Sequence, residues 1–390
     1  MKLLLNIITI TVILLSLGCS SSAPPTESPS TKTAKPPRVV FLPTITQLPP
    51  TRMPIETFIP LPPEGQLYHG VFPGGRTGEE DDITAEELRT YERIVGKTAV
   101  WVYFSNNWFR DRGFPTQTAE WIRDAGSIPY IRLMLRSGLK HSRSEKVFTL
   151  QNIIEGQFDQ DLHDWCVSAR NFGTHLIVEY GTEVNSDSFA WSGILNGAGR
   201  TNGYGDPLQP DGPERFKDAY RRIISICREE KAENITWVFH ADGEDHPNEP
   251  WNRMENYYPG DEWIDWIGVS IYGAYSPEYR YWNIFEPNMD AIYSRIEALA
   301  PDKPVIVAEF GTAKNNPLGD QAQWARDAIT SLSPSHYPNL IGFSWWNEWW
   351  QNDGNWVNDT TMRVQDNPGL AAVFQELVGE NPNVLGGISP

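Results

Sequence analysis

Two glutamates carry the chemistry this 390-residue chain could perform: Glu183, near the end of an apolar run from His175 to Asn185, and Glu309, inside a second run from Lys303 to Thr312. Paired carboxyls at strand ends suit cleavage of a glycosidic bond. One must begin protonated and give its proton to the departing oxygen. The other must begin ionised and attack the sugar carbon from the opposite face, which sets the two about 5 Å apart when configuration is retained. Either glutamate alone would be read as the polar end of a strand; the pair in matched settings asks for more.

Such a pair needs a scaffold that brings distant segments together. Strand-like runs recur at Leu67 to Gly74, Ala99 to Ser105, Ile128 to Arg136, His175 to Asn185, Ile235 to Ala241, Ile264 to Tyr272, Lys303 to Thr312 and Leu340 to Trp346. Helix-like segments lie between them, including Thr84 to Val95, Pro213 to Glu230, Met289 to Leu299 and Asp320 to Ser331; Met289, Ile292, Tyr293 and Ile296 share one helical face. Alternating strands and helices imply a parallel sheet, and eight units imply closure into an α/β (β/α)8 TIM barrel. An open doubly wound sheet fits less well, because no Gly-rich phosphate turn follows the first strand. In a closed barrel the reactive groups sit where strands end. Trp108, Arg136, Glu183, Asn185, Asp242, Tyr272, Glu309 and Trp346 collect there.

Local sequence sharpens the expectation. Glu183-Val184-Asn185 followed by Trp191-Ser192-Gly193, Tyr257-Tyr258-Pro259-Gly260-Asp261 with Ile264-Asp265-Trp266-Ile267-Gly268 and Tyr272, and Ala308-Glu309-Phe310-Gly311 together resemble glycoside hydrolase family 26. The run from Phe216 to Arg221, leading to Asn234-Ile235-Thr236-Trp237-Val238, is similar to the fourth helix and fifth strand of that family. The resemblance spans roughly Leu67 to Phe374. It implies Glu183 as acid/base, Glu309 as nucleophile, and Tyr272 as the tyrosine that hydrogen-bonds the nucleophile. It also implies a retaining endo-β-glycosidase, with β-1,4-mannan as the first expected substrate and β-1,3-1,4-glucan or β-xylan as alternatives. Transglycosylation would use the same residues, whereas a non-catalytic surface carbohydrate-binding barrel would need neither glutamate.

Two positions depart from the pattern the resemblance implies. Thr182 stands where the family usually has His, and Glu179 where it usually has Arg. An isolated carboxylate inside a barrel is costly, so Glu179 calls for a cation, and Arg132 on the preceding strand is the candidate. Asn185 is expected to hydrogen-bond sugar hydroxyls or the acid/base. Trp108, Trp191, Trp345 and Trp346 are candidate sugar platforms, although of the consecutive pair only one can face the barrel mouth. Glu348 reads as a sugar contact rather than a catalyst. The stretch from His240 to His246 is rich in His and carboxylates but lacks metal-site spacing, so a solvated loop is expected there, with no metal and no cofactor.

The formal charge of −18 and the absence of a basic run argue against nucleic acid, while 16 Trp favour a neutral glycan partner. Residues 1–19 read as a lipoprotein signal peptide: Lys2, an apolar run from Leu3 to Leu17, then Leu15-Ser16-Leu17-Gly18-Cys19, which resembles a bacterial lipobox with Cys19 as the lipid attachment site. Residues 20–63 form a Pro/Ser/Thr-rich tether and 64–390 the barrel domain. The expected location is therefore a bacterial cell surface or periplasm, with the protein held to the membrane by lipid. Cys166 and Cys227 are expected to be buried thiols, a bridge between helices being the alternative.

Overall fold

The computed structural model describes residues 59–77, 80–140 and 142–387. The expected signal peptide, Cys19 and residues 20–58 of the expected tether lie outside them. Residues 59–63 were assigned to the tether by composition, but they already pack with the barrel: Ile59 is buried, and the Pro60 carbonyl accepts from Tyr68 Oη at 2.8 Å.

Eight parallel strands close on themselves. They are β1 (Leu67–Phe72), β2 (Trp101–Asn107), β3 (Ile128–Met134), β4 (Leu176–Tyr180), β5 (Ile235–Asp242), β6 (Trp266–Tyr272), β7 (Val305–Gly311) and β8 (Leu340–Trp346). Each pairs with its successor, and β1 pairs with β8 from Tyr68↔Gly342 to Phe72↔Trp346. The flanking helices are α1 (Ala85–Val95), α2 (Thr116–Asp124), α3 (Leu150–Ile154), α4 (Asp159–Phe172), α5 (Asp211–Glu229), α6 (Phe285–Leu299), α7 (Gln321–Ser331) and α8 (Pro368–Phe374). Local chemistry fixes their ends. In α1, Thr84 and Glu87 form a reciprocal capping box, and Gly96 closes the helix at φ 84°.

Strict alternation fails between β5 and β6, where two short 3-10 turns, Pro250–Asn252 and Met254–Asn256, replace a helix. Pro247, Pro250 and Pro259 each lack the N–H an α-helix would use. Among the described residues no helix is long and apolar enough to cross a membrane.

Trp101 fills the barrel floor, and glycine makes room for it. A Cβ at Gly70 would meet its indole at 2.0 Å and one at Gly342 at 2.5 Å. Its Nε1 donates to Ser344 Oγ at 2.6 Å, so the buried ring leaves no polar atom unpaired. Outside the barrel, Cys166 of α4 and Cys227 of α5 form a disulfide, which replaces the expected pair of thiols. The two helices pack together and bring the Cα atoms to 4.9 Å, within bonding reach. At a sequence separation of 61, the bridge removes about 4 kcal/mol of loop entropy from the unfolded chain.

Candidate active site

At the C-terminal end of the strands lies an open cleft of about 470 Å³, and Glu183 and Glu309 both line it. Glu309 sits within β7 at a bulge: the pairing with β6 runs Val269↔Val307 and then Ser270↔Glu309, skipping Ala308. A bulge re-aims a side chain. Glu309 faces the cleft, while Phe310 turns back among Phe285, Trp324 and Trp345 on the helical side. Both oxygens of the Glu309 carboxylate have polar neighbours. Tyr272 Oη lies 2.8 Å from Oε2 and Tyr103 Oη 3.0 Å from Oε1, with Arg132 Nη2 at 3.7 Å.

Glu183 lies beyond the end of β4 rather than on it. The strand stops at Tyr180, Gly181 turns the chain at φ 82°, and Glu183 itself adopts φ 49°. A Cβ on Gly181 would meet the Phe216 ring at 2.2 Å, so this turn needs glycine. A left-handed non-glycine residue costs about 1 kcal/mol and persists only where its surroundings impose it, often at functional sites. Here the Val184 amide bonds the His240 carbonyl, and Trp191 Nε1 donates to the Thr182 carbonyl at 2.8 Å. The apolar run read from His175 to Asn185 is therefore strand only to Tyr180, and Glu183 stands on a turn. Loss of water, then the negative charges of Asp242 and Glu309, push the Glu183 carboxyl up to about 8, against the pull of His240 and a Ser270 hydrogen bond. Burial and neighbouring carboxylates raise Asp242 to about 7, and burial raises Glu348 to about 8.

Beneath both glutamates runs a buried polar network. Glu179 Oε1 accepts from Tyr103 Oη (2.6 Å) and from Thr182 Oγ1; its Oε2 accepts from Tyr130 Oη (2.7 Å) and His240 Nδ1 (2.9 Å). Arg132 Nε lies 3.8 Å from Glu179, so the expected cation is in place, though Arg132 also bonds Thr182 Oγ1 and pairs with Glu80. Burial works against the charge on Glu179, but His240, Arg132 and Thr182 outweigh it and hold the carboxyl at about 2. Burial likewise opposes an imidazolium at His240, yet Glu179, Glu309 and Glu183 raise it. Removing one partner of such a pair would strand the other charge, at a cost of roughly 3–5 kcal/mol. His240 Nε2 reaches Ser270 Oγ at 2.8 Å, and Ser270 hydrogen-bonds Glu183, so the network touches both glutamates. Potential ligand atoms of Glu179, His240 and Glu309 lie within 4.8 Å of one another, and hydrogen bonds occupy those of Glu179 and His240. His240 is thus a core residue rather than part of a solvated loop.

The other expected site residues divide. Tyr272 and Trp346 line the cleft; Trp346 stacks on Phe72. Trp345 points outward, packing on Phe374 and donating to the Met362 carbonyl at 2.8 Å. Trp108 is buried against Phe148 and Phe158, and Trp191 against Phe189 and Tyr180, so these rings stabilise the walls and are not platforms. Asn185 has its amide committed to Asp242, Glu244 and Asp245, which clasps the loop after β5 and leaves nothing for a sugar. Glu348 lines the cleft with its oxygens held by the amides of Gly75 and Trp349. Sequence reasoning passed over Tyr103, Tyr275 and Glu80. For Tyr103 a signal existed: a hydroxyl two residues beyond Trp101 on the same strand face needs a buried partner.

A (β/α)8 barrel with two glutamates in one cleft, a tyrosine-bound one on β7 and a proton-holding one after β4, defines a glycoside hydrolase. Residues 191–356 match glycosyl hydrolase family 26, a stretch that includes Glu309 but begins after Glu183. The chain is 23% identical over 317 residues to Endoglucanase H of Acetivibrio thermocellus, a match covering 81% of this chain but 31% of that protein, so the chain spans about a third of this relative's length. The fold is shared with a family 26 β-mannanase from Bacteroides ovatus (TM-score 0.56, 14% identity, 83% of this chain and 90% of that one). It is also shared with a mannanase of Bacillus subtilis (TM-score 0.53, 16% identity, 83% and 91%).

Proposed function

We propose that the protein is a retaining endo-β-glycosidase acting on β-1,4-mannan, with Glu183 as acid/base and Glu309 as nucleophile. The observation that carries this reading is the unequal setting of two carboxyls in one cleft: Glu183 raised to about 8, Glu309 flanked by Tyr272, Tyr103 and Arg132. In the first step a Glu309 oxygen bonds to the anomeric carbon, the glycosidic C–O bond breaks, and the leaving oxygen takes the Glu183 proton. In the second, Glu183 takes a proton from water, whose oxygen displaces Glu309. Burial, and then the nearby carboxylates, keep the Tyr272 hydroxyl protonated and able to donate. Trp346, Trp350 and Tyr275 supply aromatic faces in the cleft. Mannanases among the solved structures of this fold support mannan as substrate.

A second substrate, mixed-linkage β-1,3-1,4-glucan, is favoured by Endoglucanase H and by Thr182 and Glu179, which stand where the resemblance implies His and Arg. Mannan, glucomannan, lichenan and xylan incubated side by side separate the two. We expect the fastest cleavage on mannan, with the new reducing end appearing first as the β-anomer by NMR. An α-anomer as first product would remove the double displacement, and lichenan as the preferred polymer would replace the substrate. Added acceptor sugar would reveal any transfer.

Export and lipid anchoring through Cys19 belong to the same proposal. The lipobox-like Leu15 to Cys19 supports them, as does the Cys166–Cys227 disulfide, since such bridges persist mainly in oxidising compartments. In a bacterial host, Cys19→Ser should move the protein from the membrane fraction to the soluble one. Equal distribution of both forms would exclude the anchor.

A further inference from the structure

Glu179 takes no part in the bond-breaking steps above, yet it is fully buried beside both glutamates and accepts four hydrogen bonds. One of these has a consequence for Glu309. Tyr103 Oη lies 2.6 Å from Glu179 Oε1 and 3.0 Å from Glu309 Oε1. A phenol carries one hydrogen, so it can serve only one of the two acceptors at a time. The shorter contact belongs to Glu179. Glu309 Oε1 then keeps only the attraction of Arg132 at 3.7 Å, while Oε2 holds the Tyr272 proton. An oxygen that accepts no hydrogen bond keeps its lone pairs for the incoming carbon.

We propose that Glu179 is a positioning residue for the nucleophile: it draws the single Tyr103 proton away from Glu309 and leaves Glu309 Oε1 available for attack. The inference rests on the reading of Glu309 as nucleophile. It concerns a position at which this chain departs from the family pattern its sequence resembles.

The groups facing this pair come from every side of the barrel. Tyr103 projects from β2, Tyr130 and Arg132 from β3, and His240 and Asp242 from β5. Tyr272 comes from β6, Glu183 from the turn after β4, and Glu80 reaches Arg132 from the loop after β1. Glu179 is held at about 2, and the hydroxyls of Tyr103, Tyr130 and Tyr272 are raised by burial. Glu183 and Asp242 are both raised, toward the alkaline side. The acidic limb of the pH profile of kcat/KM reports on the essential base of the free enzyme and is the readout for this arrangement.

In Glu179→Gln a neutral acceptor competes less well, and the Tyr103 proton turns to Glu309. His240 loses its carboxylate partner, while Glu309 and Glu183 remain beside it. We expect the acidic limb to move down by about one pH unit and kcat/KM to fall about tenfold. In the Tyr103→Phe background the same substitution should move the limb much less, because no proton remains to be redirected. Glu179→Asp keeps the charge on His240 but withdraws the carboxylate from Tyr103 by one methylene. It should also move the limb down, and it serves as the test should the glutamine variant not fold.

A limb that stays in place in both Glu179 variants, or moves equally with and without Tyr103, overturns the proposal. Glu309→Gly supplied with azide separates this from failure of the underlying reading. Glycosyl azide of α-configuration from a β-linked substrate identifies Glu309 as nucleophile. If no azide adduct forms, the nucleophile assignment and this inference fall together; if it forms while the limbs do not move, only this inference falls.

Discussion

Glu309→Ala is expected to lower kcat on the preferred polysaccharide by a factor on the order of 10⁵, the scale of losing a covalent nucleophile, while KM changes only a few-fold. The expected split follows from where Glu309 sits. Its oxygens face Tyr272, Tyr103 and Arg132 at the bottom of the cleft, whereas the aromatic surfaces that would hold a glycan, Trp346, Trp350 and Tyr275, are separate side chains. The variant should also fold. Arg132 keeps Glu80 at 2.9 Å and Glu179 at 3.8 Å, and Tyr103 keeps Glu179, so neither is left without a partner. Initial rates with unchanged circular dichroism check this. A loss of less than about a hundredfold would mean that another group attacks the sugar, or that water does.

The barrel was legible because each strand is a short apolar run bounded by turn residues, and the eight runs read from sequence overlap all eight strands of the closed sheet. The helical pattern was weaker where prolines intervene, and the β5–β6 connection became 3-10 turns. Glu183 and Glu309 were visible as carboxyls near apolar runs, and their presence in one cleft follows from closure of the barrel. What sequence could not resolve is which way a side chain faces once a strand ends or bulges. Glu183 left the strand register at Gly181, and Glu309 stands at a bulge that alternation does not anticipate. The tryptophans show the same limit. Trp346 lines the cleft while Trp345, Trp108 and Trp191 are packing residues, a division set by neighbours far away in sequence. The disulfide depended on how closely α4 and α5 pack, and two cysteines alone do not encode that.

Glu183→Ala is expected to separate substrates by leaving group. On polysaccharide, whose departing hydroxyl needs a proton, kcat/KM should fall on the order of 10³-fold, within the usual range for general acid catalysis. On an aryl glycoside whose phenol leaves as an anion, the first step should be nearly unaffected.

The pH profile supplies the second readout, and its sign is fixed by the form required. The acid must carry its proton, so the alkaline limb of kcat/KM should set in near the Glu183 value of about 8 and fall tenfold per unit above it. In Glu183→Ala that alkaline limb should vanish. Glu348 is also raised to about 8 and lines the same cleft, so a proton held to that pH does not by itself choose the acid. The choice rests on place. Glu183 feels the charge of Glu309 and belongs to its hydrogen-bond network through Ser270 and His240, whereas Glu348 is fixed by the Gly75 and Trp349 amides and feels Glu80 and Asp82. An alkaline limb that persists in Glu183→Ala and disappears in Glu348→Gln would transfer the acid role to Glu348. Asp242→Asn sharpens the distinction, because removing a negative charge beside Glu183 lets it ionise more easily and should draw the limb to lower pH, an effect with no route to Glu348.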